Sequence, residues 1–281
     1  MCSNLCRTPA YKRQRTVLVL FDFDLTLCDE DTYSVVIQMA LLAGLTLPPH
    51  LQTPPEYEGW PEYMRGILEY FHVKKITADM IKERLQECPM TKGMQELLRY
   101  LHDHQEPSKF TAEEGDKNGV APDTKTVYET VILSDANSCF IQWILEKHNL
   151  SHAFAKVLTN PSEVTADGRI KLGEFHEQTE CKISPKNMCK GRVMEEWIAQ
   201  KVKRTGSGYS AVYYVGDSMN DLCPAKRLGP TDIFFVRRGF SLHKKLAAND
   251  VLCKVELWSD GRDILKTLKA LRHLKGENIQ Q

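Results

Sequence analysis

Residues 17–26 read VLVLFDFDLT. Five consecutive apolar residues, Val17 to Phe21, run straight into carboxylates at Asp22 and Asp24. An unbroken β-branched and aliphatic run has no polar face to offer water, so it has the pattern of a strand buried on both faces of a parallel sheet. The acids then stand at the carboxyl end of that strand, where open α/β sheets gather their ligands.

The same pattern returns at TVYETVILSD (Thr126 to Asp135), SAVYYVGD (Ser210 to Asp217) and TDIFFVR (Thr231 to Arg237). Between these runs, Phe140 to His148, Gly191 to Lys203 and Leu242 to Asn249 carry apolar residues at three-to-four spacing. Strands alternating with helices predict an α/β fold, a doubly wound, Rossmann-like parallel sheet. The stretch from Thr32 to Cys88 is longer than one crossover needs, and Pro48, Pro49, Pro54, Pro55 and Pro61 break it into short helical pieces. It reads as a small helical cap inserted between the first acidic motif and the second. The expected organisation is a disordered basic leader at 1–16, a core at 17–31 and 89–275, and the cap at 32–88. An exposed polar loop is expected at 105–125. Gly93 to His104 reads as a core helix, and Thr165 to Gly173, with Asp167-Gly168 at its centre, as a β-hairpin.

Composition narrows the function classes. Thirty-seven basic and thirty-seven acidic residues cancel, which leaves no global positive field for nucleic acid or an anionic membrane. No apolar stretch approaches the roughly 20 residues of a membrane span. Nine cysteines, an odd number spread along a chain too long to need disulfide staples and with no export signal ahead of them, suit reduced thiols in a cytoplasmic setting.

The polar groups at successive strand ends carry the chemistry. They are Asp22 and Asp24, then Ser134 and Asp135, then Lys190 opening a helix, then Asp217 and Asp221. Carboxylates gathered at one sheet edge repel each other unless a cation sits among them, and all-oxygen ligation suits Mg²⁺. Phosphoryl transfer needs a nucleophile, a nearby proton donor and positive groups around the transferring oxygens, and this set supplies each.

DFDLT, SDAN, Lys190 and GDSMND together resemble the four motifs of the haloacid dehalogenase-like phosphatases, in order and in placement. More narrowly, FDFDLT with FHEQTEC, SPKNMCK, YVGDSMNDLCP and VRRGFSLHK resembles the phosphoethanolamine/phosphocholine phosphatase family, which includes pyridoxal-phosphate phosphatase. The likeness runs from about Val17 to Leu268. It implies that Asp22 attacks phosphorus to give an aspartyl-phosphate, and that Asp24 protonates the leaving group and then activates water. Asp22, Asp217 and the backbone carbonyl of Asp24 would ligate Mg²⁺, with Asp221 steadying the hydrated ion. Ser134 and neighbouring backbone N–H groups, with Asp135, would hold the phosphoryl group, and Lys190 would neutralise shared charge. Thr26 would brace the loop after the nucleophile and Asn220 would support the site. Lys186 reads as a solvated charge.

The expected activity is magnesium-dependent hydrolysis of a small phosphomonoester, with no nucleic-acid or membrane partner. Among the cap aromatics Tyr33, Tyr57, Trp60, Tyr63, Tyr70 and Phe71, one or two facing the acids would stack on a pyridine ring or hold an ammonium group. Relatives acting on phosphoamines carry an acid where Tyr33 stands, so pyridoxal phosphate ranks narrowly first, although Asp31 lies close enough to compensate. Phosphoethanolamine, phosphocholine and other small phosphates, pyrophosphate included, follow. A receiver-like phospho-aspartate module ranks lower, because it has no need of the acid at Asp24. So do a dehalogenase, which wants neither second acid nor magnesium, and an inactive binding protein. His176, Cys181 and Cys189 hint at a second metal cluster. The family pattern has a further Cys where Ser184 stands, so the three are read as packing and turn residues, and Cys28 and Cys223 as small buried fillers.

Overall fold

The computed structural model describes residues 15–56, 58–105 and 126–277, with side chains through residue 272. The expected leader, apart from Arg15 and Thr16, lies outside the described residues, as do Tyr57 and the 105–125 loop beyond Gln105. Six parallel strands form the sheet: β1 (Arg15–Phe21), β2 (Thr126–Asn137), β3 (Lys156–Asn160), β6 (Ala211–Gly216), β7 (Ile233–Arg237) and β8 (Lys254–Trp258). Their order is β3-β2-β1-β6-β7-β8. The chain winds outward from β1 to one edge, returns to the middle, and winds to the other edge, which is the Rossmann order. The reversal falls between β1 and β6, so the ends of those two strands form the crevice.

Side chains alternate across the sheet as the pleat requires. Val17, Val19 and Phe21 join the core layer that also holds Leu97 and Leu101 of α4 (Met94–His102), Ile144 of α5 (Ser138–Lys147) and Leu268 of α9 (Gly261–Glu277). Leu18 and Leu20 join the opposite layer, with Val193 and Met194 of α6 (Lys190–Thr205), Ala225 of α7 (Leu222–Ala225) and Leu242 of α8 (Ser241–Lys245). Both faces are covered by helices, which is why β1 has no polar residue between Val17 and Phe21.

Residues between β1 and α4 form α1 (Thr32–Leu42), α2 (Trp60–Val73) and α3 (Ala78–Leu85), with a 3-10 turn at Pro49–Leu51. Asp31 caps α1 by accepting the Ser34 N–H at 2.7 Å. The hairpin is β4 (Ser162–Val164) with β5 (Ile170–Leu172), paired antiparallel, and its turn holds Gly168 at φ +81°. Arg65 of α2 reaches Glu174 at 3.1 Å, just beyond β5, and Arg169 of the hairpin turn reaches Glu69 of α2 at 3.1 Å.

Two elements differ from the sequence reading. The helix expected over Leu242 to Asn249 ends at Lys245, with a 3-10 turn over Leu246–Ala248. The strand expected to stop at Asp135 continues to Asn137, and its register against β3 shifts between Leu133 and Asn137. Residues 134–136 thereby leave the regular ladder, a placement typical of strand ends beside a functional site.

Candidate active site

Asp22 follows β1 directly, and its N–H donates to Val215 O of β6 at 2.9 Å, which carries the ladder one residue past the strand. The carboxylate, 3% exposed, accepts the Phe23 N–H at 2.7 Å through Oδ1 and the Lys190 ammonium at 2.9 Å through Oδ2. Lys190 opens α6 and is itself 1% exposed. Its Nζ also donates to Asp221 Oδ1 at 2.8 Å and Asn220 Oδ1 at 3.2 Å. Burial works against a charged lysine here, but the charges of Asp22, Asp221 and Asp135 outweigh it and hold Lys190 above its usual range. Burial pushes Asp22 up to about 7 although Lys190 draws it down, and the charges of Asp221 and Asp135 add to the rise.

The GDSMND turn follows β6. Asp221 is fully occupied: Oδ1 takes the Tyr214 hydroxyl at 2.8 Å beside Lys190, and Oδ2 takes the Asp217 and Ser218 N–H groups at 3.0 and 3.2 Å. Asp217 Oδ1 accepts the Thr26 hydroxyl at 3.3 Å, so Thr26 ties its own loop to the far acid. Burial, then the charges of Asp221 and Asp22, hold Asp217 well above the usual carboxylate range. Carboxylate oxygens of Asp22, Asp217 and Asp221 lie within 4.8 Å of one another.

The Asp24 carboxylate stands outside that trio. Oδ2 accepts the Thr32 hydroxyl at 3.0 Å, while Oδ1 is buried without a hydrogen-bond partner among the described residues. Burial, then the charges of Asp31 and Asp22, hold Asp24 well above its usual range. The next residue, Leu25, sits at φ +54°, a conformation rare for a side chain of this kind, and Arg237 Nη1 fixes its carbonyl at 2.5 Å.

From β2, Asp135 lines the cleft and its Oδ2 accepts the Asn220 amide at 2.9 Å. Ser134 is fully buried beneath it, with Oγ taking the Ala136 N–H at 3.3 Å. Asn160 of β3 binds the carbonyls of Asp135 and Ala136 at 2.6 and 3.0 Å and so shapes this strand end. Asn137 caps α5 through the Phe140 N–H at 3.1 Å. Lys186 is exposed beside Glu58, whereas Lys190 is the buried lysine among the acids.

A cleft of about 370 Å³ opens over Asp22, Asp24 and Asp217, a size suited to a small organic molecule. Tyr33 and Trp60, ring centroids 6.2 Å apart, form part of its wall. Tyr63 and Phe71 pack into the core, and the Tyr70 hydroxyl binds Thr46 O at 2.8 Å. Asp31, Glu56, Asn187 and Lys245 also line the cleft. Glu56, Asn187 and Lys245 went unread in the sequence because no spacing ties them to a strand end. The bonds from Thr32 and Tyr214 were equally invisible, since a hydroxyl's partner depends on side-chain direction.

The donor set fits a hard divalent cation. Asp22 and Asp217 offer only oxygen, while Asp221, its oxygens already taken, stands behind them, and one lysine among three acids leaves two formal negative charges for a cation to offset.

Residues 17–111 and 120–272 match the family described as Putative Phosphatase. Pyridoxal phosphate phosphatase PHOSPHO2 of Mus musculus is 31% identical over 260 residues, spanning 91% of this chain and 98% of its own length. Phosphoethanolamine/phosphocholine phosphatase of Gallus gallus is 27% identical over 235 residues, spanning 84% and 79%. A solved phosphoserine phosphatase, described as a phospho-aspartyl intermediate analogue, superposes with a TM-score of 0.55 at 18% identity over 90% of this chain and 99% of that one, so the two share a fold. The chain is a phosphatase and belongs to the Putative Phosphatase family.

Proposed function

We propose that the chain hydrolyses a small phosphomonoester through an aspartyl-phosphate on Asp22, with Mg²⁺ as cofactor and pyridoxal phosphate as the favoured substrate. The observation that carries this reading is the contrast between two acids two residues apart on the same cleft. Asp22 is paired with the Lys190 ammonium at 2.9 Å, and Asp24 keeps an unpartnered buried oxygen and a strong tendency to hold its proton. One is set to be an anionic nucleophile and the other an acid, the division of labour that phosphate ester cleavage needs.

Asp22 attacks phosphorus as the bond to the leaving oxygen breaks, and Asp24 gives that oxygen its proton. Asp24, now a base, takes a proton from water as it attacks the same phosphorus, which frees phosphate and restores Asp22. Lys190 holds Asp22 in place and offsets charge through the exchange, while Ser134 and the Asp135–Ala136 backbone border the phosphoryl position. Asp22, Asp217 and the Asp24 carbonyl would hold Mg²⁺, with Asp221 orienting the set through Lys190 and the Asp217 N–H. Bound there, the ion would neutralise phosphate charge against the carboxylates.

Two features support pyridoxal phosphate: the name carried by the mouse relative and the Tyr33–Trp60 wall, which suits an aromatic ring. A second reading, a phosphoamine such as phosphoethanolamine, is favoured by Asp31 and Glu56 on the same cleft, which suit an ammonium group. Comparing kcat/KM for pyridoxal phosphate, phosphoethanolamine, phosphocholine and pyrophosphate separates them. Asp22→Asn is expected to abolish phosphate release and acid-quench trapping of labelled protein while remaining folded. Full activity in that variant overturns the covalent route.

A further inference from the structure

Behind the acidic turn, three thiols converge from two separated segments. Cys181 Sγ lies 3.4 Å from Cys223 Sγ, and Cys189 Sγ lies 3.6 Å from Cys223 Sγ, with all three sulfurs within 4.8 Å of one another. We propose that Cys181, Cys189 and Cys223 form a three-thiolate zinc site that pins the segment carrying Lys190 to the turn carrying Asp221. The site is independent of the substrate reading above.

The spacing suits the ion. Zinc–sulfur bonds of about 2.3 Å at tetrahedral angles place neighbouring sulfurs about 3.8 Å apart, so the 3.4 and 3.6 Å contacts to Cys223 need to open by only a few tenths of an ångström. A cation stands beside the cluster. Arg227 Nη2 lies 3.6 Å from Cys189 Sγ. Ser184 Oγ, 3.5 Å from Cys181 Sγ, stands beside the fourth position, which it or a water would fill. Cys181 is half-buried and leaves a way in.

His176, grouped with Cys181 and Cys189 on sequence spacing, serves another purpose. Its Nε2 accepts the Cys189 N–H at 3.0 Å and satisfies the backbone where the chain enters α6. Cys223, set aside as a buried filler, takes its place beside the other thiols. The consequence for the acids is geometric. Cys189 immediately precedes Lys190, and Cys223 comes two residues after Asp221, so one ion would clamp both ends of the 2.8 Å Lys190–Asp221 bond. Binding releases up to three thiol protons to solvent and changes no oxidation state.

The test uses the whole chain, purified under reducing conditions, stripped with chelator and titrated with Zn²⁺ against a chromophoric competitor. One equivalent is expected to bind more tightly than about 1 µM, as structural zinc does. Cys181→Ser and Cys223→Ser are each expected to weaken it roughly 100-fold or more, since even an outer partner of a zinc ligand is worth 10- to 100-fold. Asp217→Asn should leave zinc affinity unchanged, which separates this site from the acidic one. Co²⁺ in place of zinc should give a thiolate-to-metal charge-transfer band that Cys181→Ser diminishes. That variant lies at the more open edge and serves where Cys223→Ser fails to fold. Binding weaker than about 1 µM, or cobalt spectra identical in wild type and Cys181→Ser, overturns the proposal.

Discussion

The Thr32 hydroxyl donates to Asp24 Oδ2 at 3.0 Å, so the first residue of α1 holds an acid that follows β1. Two neighbours act on Asp24 in opposite senses: the Asp31 charge raises its pKa and the Thr32 bond lowers it. Thr32→Val is therefore expected to move the alkaline limb of kcat/KM to higher pH and to cut kcat about tenfold, the worth of one hydrogen bond to a charged group. Asp31→Asn should move the same limb to lower pH while still capping α1. Initial-rate pH profiles of both variants check this, and limbs moving in the same direction would contradict it.

Among the described residues, Lys190 is the one cation in contact with both Asp22 and Asp221. Lys190→Met keeps the length of the side chain and leaves two buried carboxylates without their partner, a loss of about 3–5 kcal/mol. Urea denaturation should show that loss, and Lys190→Arg should fail to restore it, because the pocket is closed around a compact ammonium.

Stability of the chelated protein should fall as pH rises from about 4 to about 7. Asp22 climbs from 3.8 to about 7 on folding, so in this window the folded state holds more protons than the unfolded one, and raising pH favours unfolding. On the proposed reading Mg²⁺ binds the deprotonated set, so its stabilisation should be greater at pH 8 than at pH 5. Melting curves with and without the ion decide the matter. An equal rise at both pH values would place the ion elsewhere.

Gly216 ends β6 where a Cβ would fall 2.3 Å from Asp221 Oδ2 and 2.5 Å from its Cγ. The reason for glycine here is space rather than backbone angle. Gly216→Ala is expected to cost about 1–3 kcal/mol and to lower kcat more than it raises KM, because it displaces the acid that positions Lys190. Chemical denaturation and steady-state kinetics measure both effects.

How much of this was legible in advance follows from what each residue depends on. Val17–Phe21 and Ile233–Arg237 were readable because a central parallel strand leaves its mark in every residue. The edge strands β3 and β8 were not read: Lys156–Asn160 and Lys254–Trp258 mix charged and apolar residues, so each looks like a helix turn or loop until it has a neighbour. The helix α9, amphipathic and following the polar turn at Ser259–Asp260, was likewise unread. Asp22, Asp24, Asp135, Lys190 and Asp217 stood out because each marks the end of an apolar run or the start of a helix. Cys223 joining Cys181, and Tyr214 reaching Asp221, arise only from how α6, α7 and the loop before α6 pack together.

The strand that names the fold is also the one that waits longest for it. On the ribosome, β1 emerges first, yet both its hydrogen-bonding neighbours come later, β2 from residue 126 and β6 only from residue 211. At roughly 5–20 residues per second, those two flanks arrive about 5–20 and 10–40 seconds after it. Until then, a five-residue apolar ribbon with two bare edges must be shielded by the nascent helices or by a chaperone, and that interval is when this chain is most exposed to misassembly.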